Sequence, residues 1–297
     1  MNQIAQLIEA VMAKKPKRIL LQVPEGLKTK TTAIAEAMEK TGISVFISAD
    51  TCHGACDLPL SKAEMLGCDL IVHLGHSKFY RPIDIKIDVL YFPWKAELKI
   101  EKNKIKPELA KINEKKIGIV TTIQHMDSMG DISGILKSLG KQPVEIGQIL
   151  GCWSDASENV DAFLFFGSGE FHPTGLFRLK KRIYFFDIEK NLLRDMDKEA
   201  LLHEKRMAAR VSHANEAKVF AILLSSKPGQ FRLAEAERLK NDIKKKDKKA
   251  FIVIMDEITN EKMLGIAADC FINTACPRIV EDKFSKTIIN IDEFVAM

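Results

Sequence analysis

The chain has 297 residues, is 46% hydrophobic, and carries a net charge of +5 with a mean hydropathy of −0.06. That length suffices for two domains or three small ones. The near-zero hydropathy and the lack of a long uncharged apolar run exclude a membrane-spanning helix. The first elements in chain order begin with MNQIAQLIEAVMAKKPKR, which has an acidic residue in its apolar stretch and no cleavage-site pattern. It reads as an amphipathic helix rather than a signal peptide, so a cytoplasmic location with reduced thiols is expected. Six cysteines then need a reason other than disulfides.

Strand signals follow as RILLQVP, SVFISAD, CDLIVHLG and DVLYFPW, then KIGIVTT, DAFLFFGSG and RIYFFD, and last KVFAILLSS, AFIVIMDE and DCFINTA. Amphipathic stretches at 28–40, 132–139 and 232–245 lie between them. Such alternation predicts an α/β class with parallel sheets and crossover helices. Each third pairs a basic lead-in strand (PKRILLQVPEG, KKIGIVTTIQH, AKVFAILLSSKPGQ) with an acidic-led strand (CDLIVHLGHS, VDAFLFFGSGEFHP, ADCFINTACPR). A period near one hundred residues is too long for a solenoid and predicts triplication of a small α/β domain. Charged boundaries near 95–104 and 189–194 divide the chain into domains 1–98, 99–190 and 191–297.

Ligands in open parallel sheets sit beyond the carboxyl ends of the strands. The loops to search are residues 22–26, 50–57, 75–78, 147–152, 167–175, 227–230 and 273–278. They contain Cys56, Cys152 and Cys276, spaced by 96 and 124 residues. Three thiolates with no fourth cysteine motif are what an iron–sulfur cluster with one open iron needs. Zinc is the rival, although the paired C-x2-C spacing of structural zinc sites is missing. Spacing alone points to a metal site and leaves the metal open. Cys68 and Cys270 lead apolar strands and read as small buried hydrophobes. Cys52 and Cys56 make a C-x3-C pair, but Pro59 stands where the standard radical enzymes carry a third cysteine.

Glycines after strands let backbone N–H groups approach an anion, which singles out the loop at His76 and the run GSGEFHPTGL with Gly167, Gly169, Glu170 and His172. For any one of these histidines a structural role is the plainer reading. SSKPGQ, with Lys227, Gly229 and Gln230, would suit a zwitterionic amino acid. Glu25 and Gly26 mark a strand-to-helix turn. There is no dinucleotide or Walker phosphate fingerprint. The basic stretches at 14–18 and 240–249 read as helix ends, and without interleaved aromatics they give little support to nucleic-acid binding.

Taken in order, QVPEGL, ADTCHGACD, HLGHSKF, GQILGC, FGSGEFHPTGL, SSKPGQ and NTACPR, from Gln22 to Arg278, resemble the archaeal-type diphthamide biosynthesis enzymes, the 2-(3-amino-3-carboxypropyl)histidine synthases. The resemblance implies three similar α/β domains, each giving one cysteine (Cys56, Cys152, Cys276) to a 4Fe–4S cluster. It implies S-adenosylmethionine as co-substrate, cleaved at its Cγ–S bond to a 3-amino-3-carboxypropyl radical. That radical adds to C2 of a histidine imidazole on translation elongation factor 2. The implied binding set for S-adenosylmethionine is Glu25, Gly26, His76, Gly167, Gly169, Glu170, His172, Lys227, Gly229 and Gln230. An unidentified electron donor and a homodimer are also implied. The chain departs from the family pattern at Cys52, where threonine is common, and at His53, where tyrosine is usual. Quinolinate synthase, with its own three-cysteine cluster acting as a Lewis acid, is one alternative. A partner subunit that only passes electrons or docks the elongation factor is the other.

Overall fold

The computed structural model describes residues 3–96, 100–152, 154, 156 and 159–297. Residues 97–99 of the first expected boundary, and Trp153 and Asp155 of GQILGCWSD, lie outside that set. The chain forms two compact units, Met1–Ala96 with Ser226–Phe231, and Glu97–Ser225 with Arg232–Met297.

The first unit holds one parallel sheet of β1 (Arg18–Gln22), β2 (Ser44–Ser48), β3 (Leu70–Leu74) and β4 (Asp88–Phe92), in the order β2-β1-β3-β4. The second unit holds two sheets. One contains β5 (Lys116–Thr121), β6 (Gln142–Gln148), β7 (Ala162–Gly167), β8 (Arg182–Asp187) and β9 (Leu192–Asp195), ordered β6-β5-β7-β8-β9. The other contains β10 (Val219–Ser225), β11 (Lys249–Met255), β12 (Cys270–Asn273) and β13 (Ile288–Asn290), ordered β11-β10-β12-β13. Counted within its own sheet, each begins second-first-third-fourth. The expected α/β fold of three similar modules is therefore present, with β9 as an antiparallel addition to the second sheet.

The sequence repeat has a local physical cause. Asp69 accepts from the backbone N–H groups of Lys17 (2.9 Å) and Arg18 (3.1 Å). Asp161 accepts from Lys116 (2.8 Å), and Asp269 from Lys218 (2.9 Å) and Val219 (2.8 Å). In each sheet the aspartate leading the third strand thus clamps the entrance of the first. These charge-assisted bonds satisfy donors that the ladder has not yet reached, and they hold the Asp269 carboxyl below its ordinary range.

The central strands β3 and β7 are buried along their whole length, as parallel strands covered on both faces must be. Helices Gln3–Lys14 and Thr31–Glu39 place Leu7, Val11, Ile34 and Met38 against Ile19, Leu21 and Val72 of the first sheet. Leu233–Lys245 buries Ala236, Leu239 and Ile243 in the third module, with Lys244 and Lys245 in its last turn. That placement fits the reading of the basic stretch as a helix end. Gly147 and Gln148, expected in a loop, belong to β6. There the register slips between Ile119 and Val120, a bulge that re-aims the chain just before Cys152.

Candidate cofactor and metal site

The six cysteines divide by burial. Cys56, Cys152 and Cys276 are half-buried, whereas Cys52, Cys68 and Cys270 are buried. All three of the half-buried set lie in segments that follow the carboxyl ends of parallel strands: β2, β6 and β12. Burial raises the other thiols, Cys52 and Cys270 each to about 12. Cys56, Cys152 and Cys276 are thus the three thiols that burial leaves partly accessible.

In the first unit, residues 226–231 grip the Cys56 segment. The Gly229 N–H donates to the Cys56 carbonyl (2.8 Å), and the Gln230 Nε2 donates to Cys56 Sγ (3.4 Å). Lys227 Nζ meets Asp57 Oδ2 at 2.6 Å, with only 14% and 15% of the two side chains exposed. A Cβ on Gly229 would stand 2.6 Å from Cys56 Cα, so only glycine allows this approach. Lys227 and Gln230, expected to meet an amino-acid ligand, are thus engaged with the cysteine segment itself.

Beneath that segment runs a buried polar chain. Gln22 Nε2 donates to the Asp57 carbonyl (2.6 Å), which turns its Oε1 toward His73 Nδ1 at 2.7 Å. Oε1 can only accept, so His73 carries its proton on Nδ1 and leaves Nε2 as a lone pair. That Nε2 faces His76 Nδ1 at 3.1 Å. Burial, and then the neighbouring His76, push His73 down to about 3, so it stays neutral. Glu25 pairs with Lys28 (2.6 Å), and Gly26 faces open space.

In the second unit Phe171 is the central packing piece. Its ring fills the space where a side chain on Gly151 would stand, next to Cys152, and Arg278 lies over it at 5.8 Å, two residues past Cys276. Gly175 packs on the Gly151 carbonyl, where a Cβ would come within 2.8 Å. Asn273 pins the Cys276 turn, its Nδ2 donating to the Cys276 carbonyl (2.8 Å) and to Asn290 Oδ1 (2.8 Å). Of the two glycines at the end of β7 and just beyond it, Gly167 is closed in by Phe165 at 3.1 Å, whereas Gly169 (φ +79°) faces open space. Glu170 pairs with Arg194 at 2.6 Å. His172 stacks on Phe165, and burial lowers it to about 4. Its Nδ1 is sealed from solvent without a hydrogen-bond partner among the described residues.

Asp57, Gln22, His73, Phe171 and Asn273 were not singled out as candidate site residues. Gln22, Asp57, Phe171 and Asn273 fall within the post-strand loops read from the sequence, and the signal for His73 is a basic residue inside an otherwise apolar strand three positions before His76.

The family model for diphthamide synthesis proteins matches residues 23–297. This chain belongs to that family. The 2-(3-amino-3-carboxypropyl)histidine synthase of Pyrococcus horikoshii is 31% identical over 281 residues, covering 90% of this chain and 81% of that protein. The synthase of the same name from Methanocaldococcus jannaschii is 28% identical, covering 99% and 87%. A crystal structure of Dph2 from Pyrococcus horikoshii with a 4Fe-4S cluster superposes with a TM-score of 0.87 at 28% identity, over 98% of this chain and 88% of that one. Eukaryotic family relatives include subunit 1 of the synthase from Caenorhabditis elegans, 28% identical over 94% of this chain and 74% of that protein.

Proposed function

We propose that this chain is a 2-(3-amino-3-carboxypropyl)histidine synthase acting on a histidine of translation elongation factor 2, with S-adenosylmethionine as co-substrate. The observation that carries the reading is the burial split: the three half-buried thiols are the three that the family motifs assign to a 4Fe–4S cluster. The donor set suits that group, because thiolate ligands favour iron–sulfur clusters and the Gln230 N–H aimed at Cys56 Sγ suits a metal-bound thiolate. When bound, the cluster supplies the low-potential electron that cleaves the Cγ–S bond of the sulfonium.

The chain's own residues fix the geometry. Residues 227–230 hold the Cys56 segment, Asn273 holds that of Cys276, and Phe171 backs the turn of Cys152. We assign the methionyl end of S-adenosylmethionine to Gly167, Gly169, Glu170 and His172; the left-handed backbone at Gly169 (φ +79°), clear of neighbouring atoms, supports a close main-chain approach there. An imidazole carbon is a weak nucleophile at neutral pH, so a carbon radical is a suitable reagent for the new C–C bond. The modules are taken as 1–98, 99–190 and 191–297, in a cytoplasmic homodimer served by a separate electron donor. Among the described residues no helix is long and apolar enough to cross a membrane.

The test uses anaerobic protein reconstituted with iron and sulfide, reduced with dithionite and given S-adenosylmethionine. Methylthioadenosine should form, and should vanish when Cys56, Cys152 or Cys276 becomes alanine. A cluster without methylthioadenosine would point to Lewis-acid chemistry instead and overturn the proposal.

A further inference from the structure

We infer that Cys52, His73 and His76 form a second, mononuclear metal site for a zinc-type divalent cation, one that uses none of the three half-buried cysteines as a ligand. One ligand atom from each of the three lies within 4.8 Å of the other two. The 3.1 Å between His73 Nε2 and His76 Nδ1 is close to the ligand-to-ligand edge of a tetrahedral zinc site, about 3.3 Å for bonds of about 2.0 Å. Cys52 is 3% exposed and His73 is fully buried, whereas His76 is half-buried, leaving one side for a water as fourth ligand.

The local backbone creates the cluster. His73 is the fourth residue of β3, and the chain turns immediately after it through Gly75 at φ +84°, where a Cβ would strike Pro24 at 2.9 Å. That turn brings His76 back over His73, their rings 5.1 Å apart. Metal-bound histidines typically donate their second ring N–H to an outer acceptor, which fixes ring and tautomer. Gln22 Oε1 is that acceptor here, and it is itself aimed by the bond from Gln22 Nε2 to the Asp57 carbonyl. The His73 lone pair therefore points at His76, with a thiol beside the two rings.

One thiolate and two imidazoles select borderline-soft cations over magnesium or calcium. Binding moves the His76 proton from Nδ1 to Nε2, breaks the S–H bond of Cys52 with release of its proton to solvent, and forms the sulfur–metal and nitrogen–metal bonds with no change in oxidation state. The proposal adds a metal to the assigned function and does not depend on the cluster reading, because it uses none of Cys56, Cys152 or Cys276.

Two measurements test it. In the native chain reconstituted with its cluster and then supplied with zinc, elemental analysis should find one zinc retained after desalting. Cys52→Ser should lose that zinc with iron unchanged. In a chain carrying Cys56→Ser, Cys152→Ser and Cys276→Ser, stripped of metal, cobalt(II) alone should bind at one equivalent. A thiolate-to-cobalt charge-transfer band should appear, and zinc should displace it. Cys52→Ser should abolish the band, and Gln22→Leu should weaken cobalt binding by about 10- to 100-fold with circular dichroism unchanged. Absence of retained zinc in the native chain, or a cobalt band that persists in Cys52→Ser, overturns the proposal.

Discussion

Gly229 stands where the Cys56 backbone leaves no room for a side chain: a Cβ would lie 2.6 Å from Cys56 Cα and 2.9 Å from its carbonyl oxygen. The obstacle is main chain rather than a flexible side-chain end, so it cannot swing away. Gly229→Ala should displace the Cys56 segment at a cost of about 1–3 kcal/mol, typical of overpacking. Iron content after reconstitution should drop sharply, with a smaller fall in Tm. Wild-type iron content in that variant would remove Gly229 from the account of the site.

Gln230 acts on the same cysteine through its amide. Gln230→Met keeps the length of the side chain but removes the N–H that reaches Cys56 Sγ. Loss of such an outer partner typically weakens metal retention by about 10- to 100-fold. Chelator challenge of the reconstituted protein should show it. The reduction potential should fall as well, since a hydrogen bond to sulfur favours the more electron-rich cluster.

The pair Lys227–Asp57 is nearly enclosed, so breaking it leaves a charge without its partner. Lys227→Met should cost about 3–5 kcal/mol in urea unfolding. The double variant Lys227→Met with Asp57→Leu should recover most of that loss, because an apolar pair of similar volume is often neutral in such a place. Additive losses would mean that the two side chains do not act as a pair.

His172 gives the fold an acid sensitivity of known sign. Its folded value is about 4 against an ordinary 6.5, so between those values the unfolded chain binds a proton that the folded chain refuses. Stability attributable to this group is complete above the ordinary value. It declines as the pH falls through the window, by roughly 3 kcal/mol in all, and is level below it. His172→Phe, which keeps a ring against Phe165, should flatten that part of the stability curve measured by urea titration at a series of pH values.

The expected strands RILLQ, LIVHL, AFLFF and VFAILL all appear, because central parallel strands are continuous apolar runs that the sequence displays openly. The strands β6, β9 and β13 were not expected. β6 is an edge strand, QPVEIGQ, and tolerates proline, glycine and charge that would disqualify a central one. β9 and β13 have four and three residues, too few to show a period. The cysteines were legible because each sits among glycine, proline and polar neighbours. Of their supports, Lys227, Gly229 and Gln230 stand out in the SSKPGQ loop, whereas the roles of Gln22, Asp57 and Asn273 do not. Gln22, Asp57 and Asn273 act through contacts across residues far apart in the chain or through a single turn, and no local pattern marks a side chain whose task is to orient another. The 20-residue helix Asp197–Glu216 is not legible in the sequence either, since only Ala214 of it is fully buried and its apolar stripe is faint.

The shared strand order carries a consequence for symmetry. Matched strand for strand, the segment after β2 corresponds to the one after β6, so Cys56 and Cys152 occupy equivalent places in their modules. The next equivalent place follows β11, where the chain has Asp256, Glu257, Ile258 and Thr259 and no thiol. Cys276 follows β12 instead. By strand position, Cys276 is therefore not the counterpart of Cys56 and Cys152. On the proposed reading, the thiolate ligands of the cluster come from non-equivalent positions of the modules, so the ligand set carries no three-fold symmetry of its own.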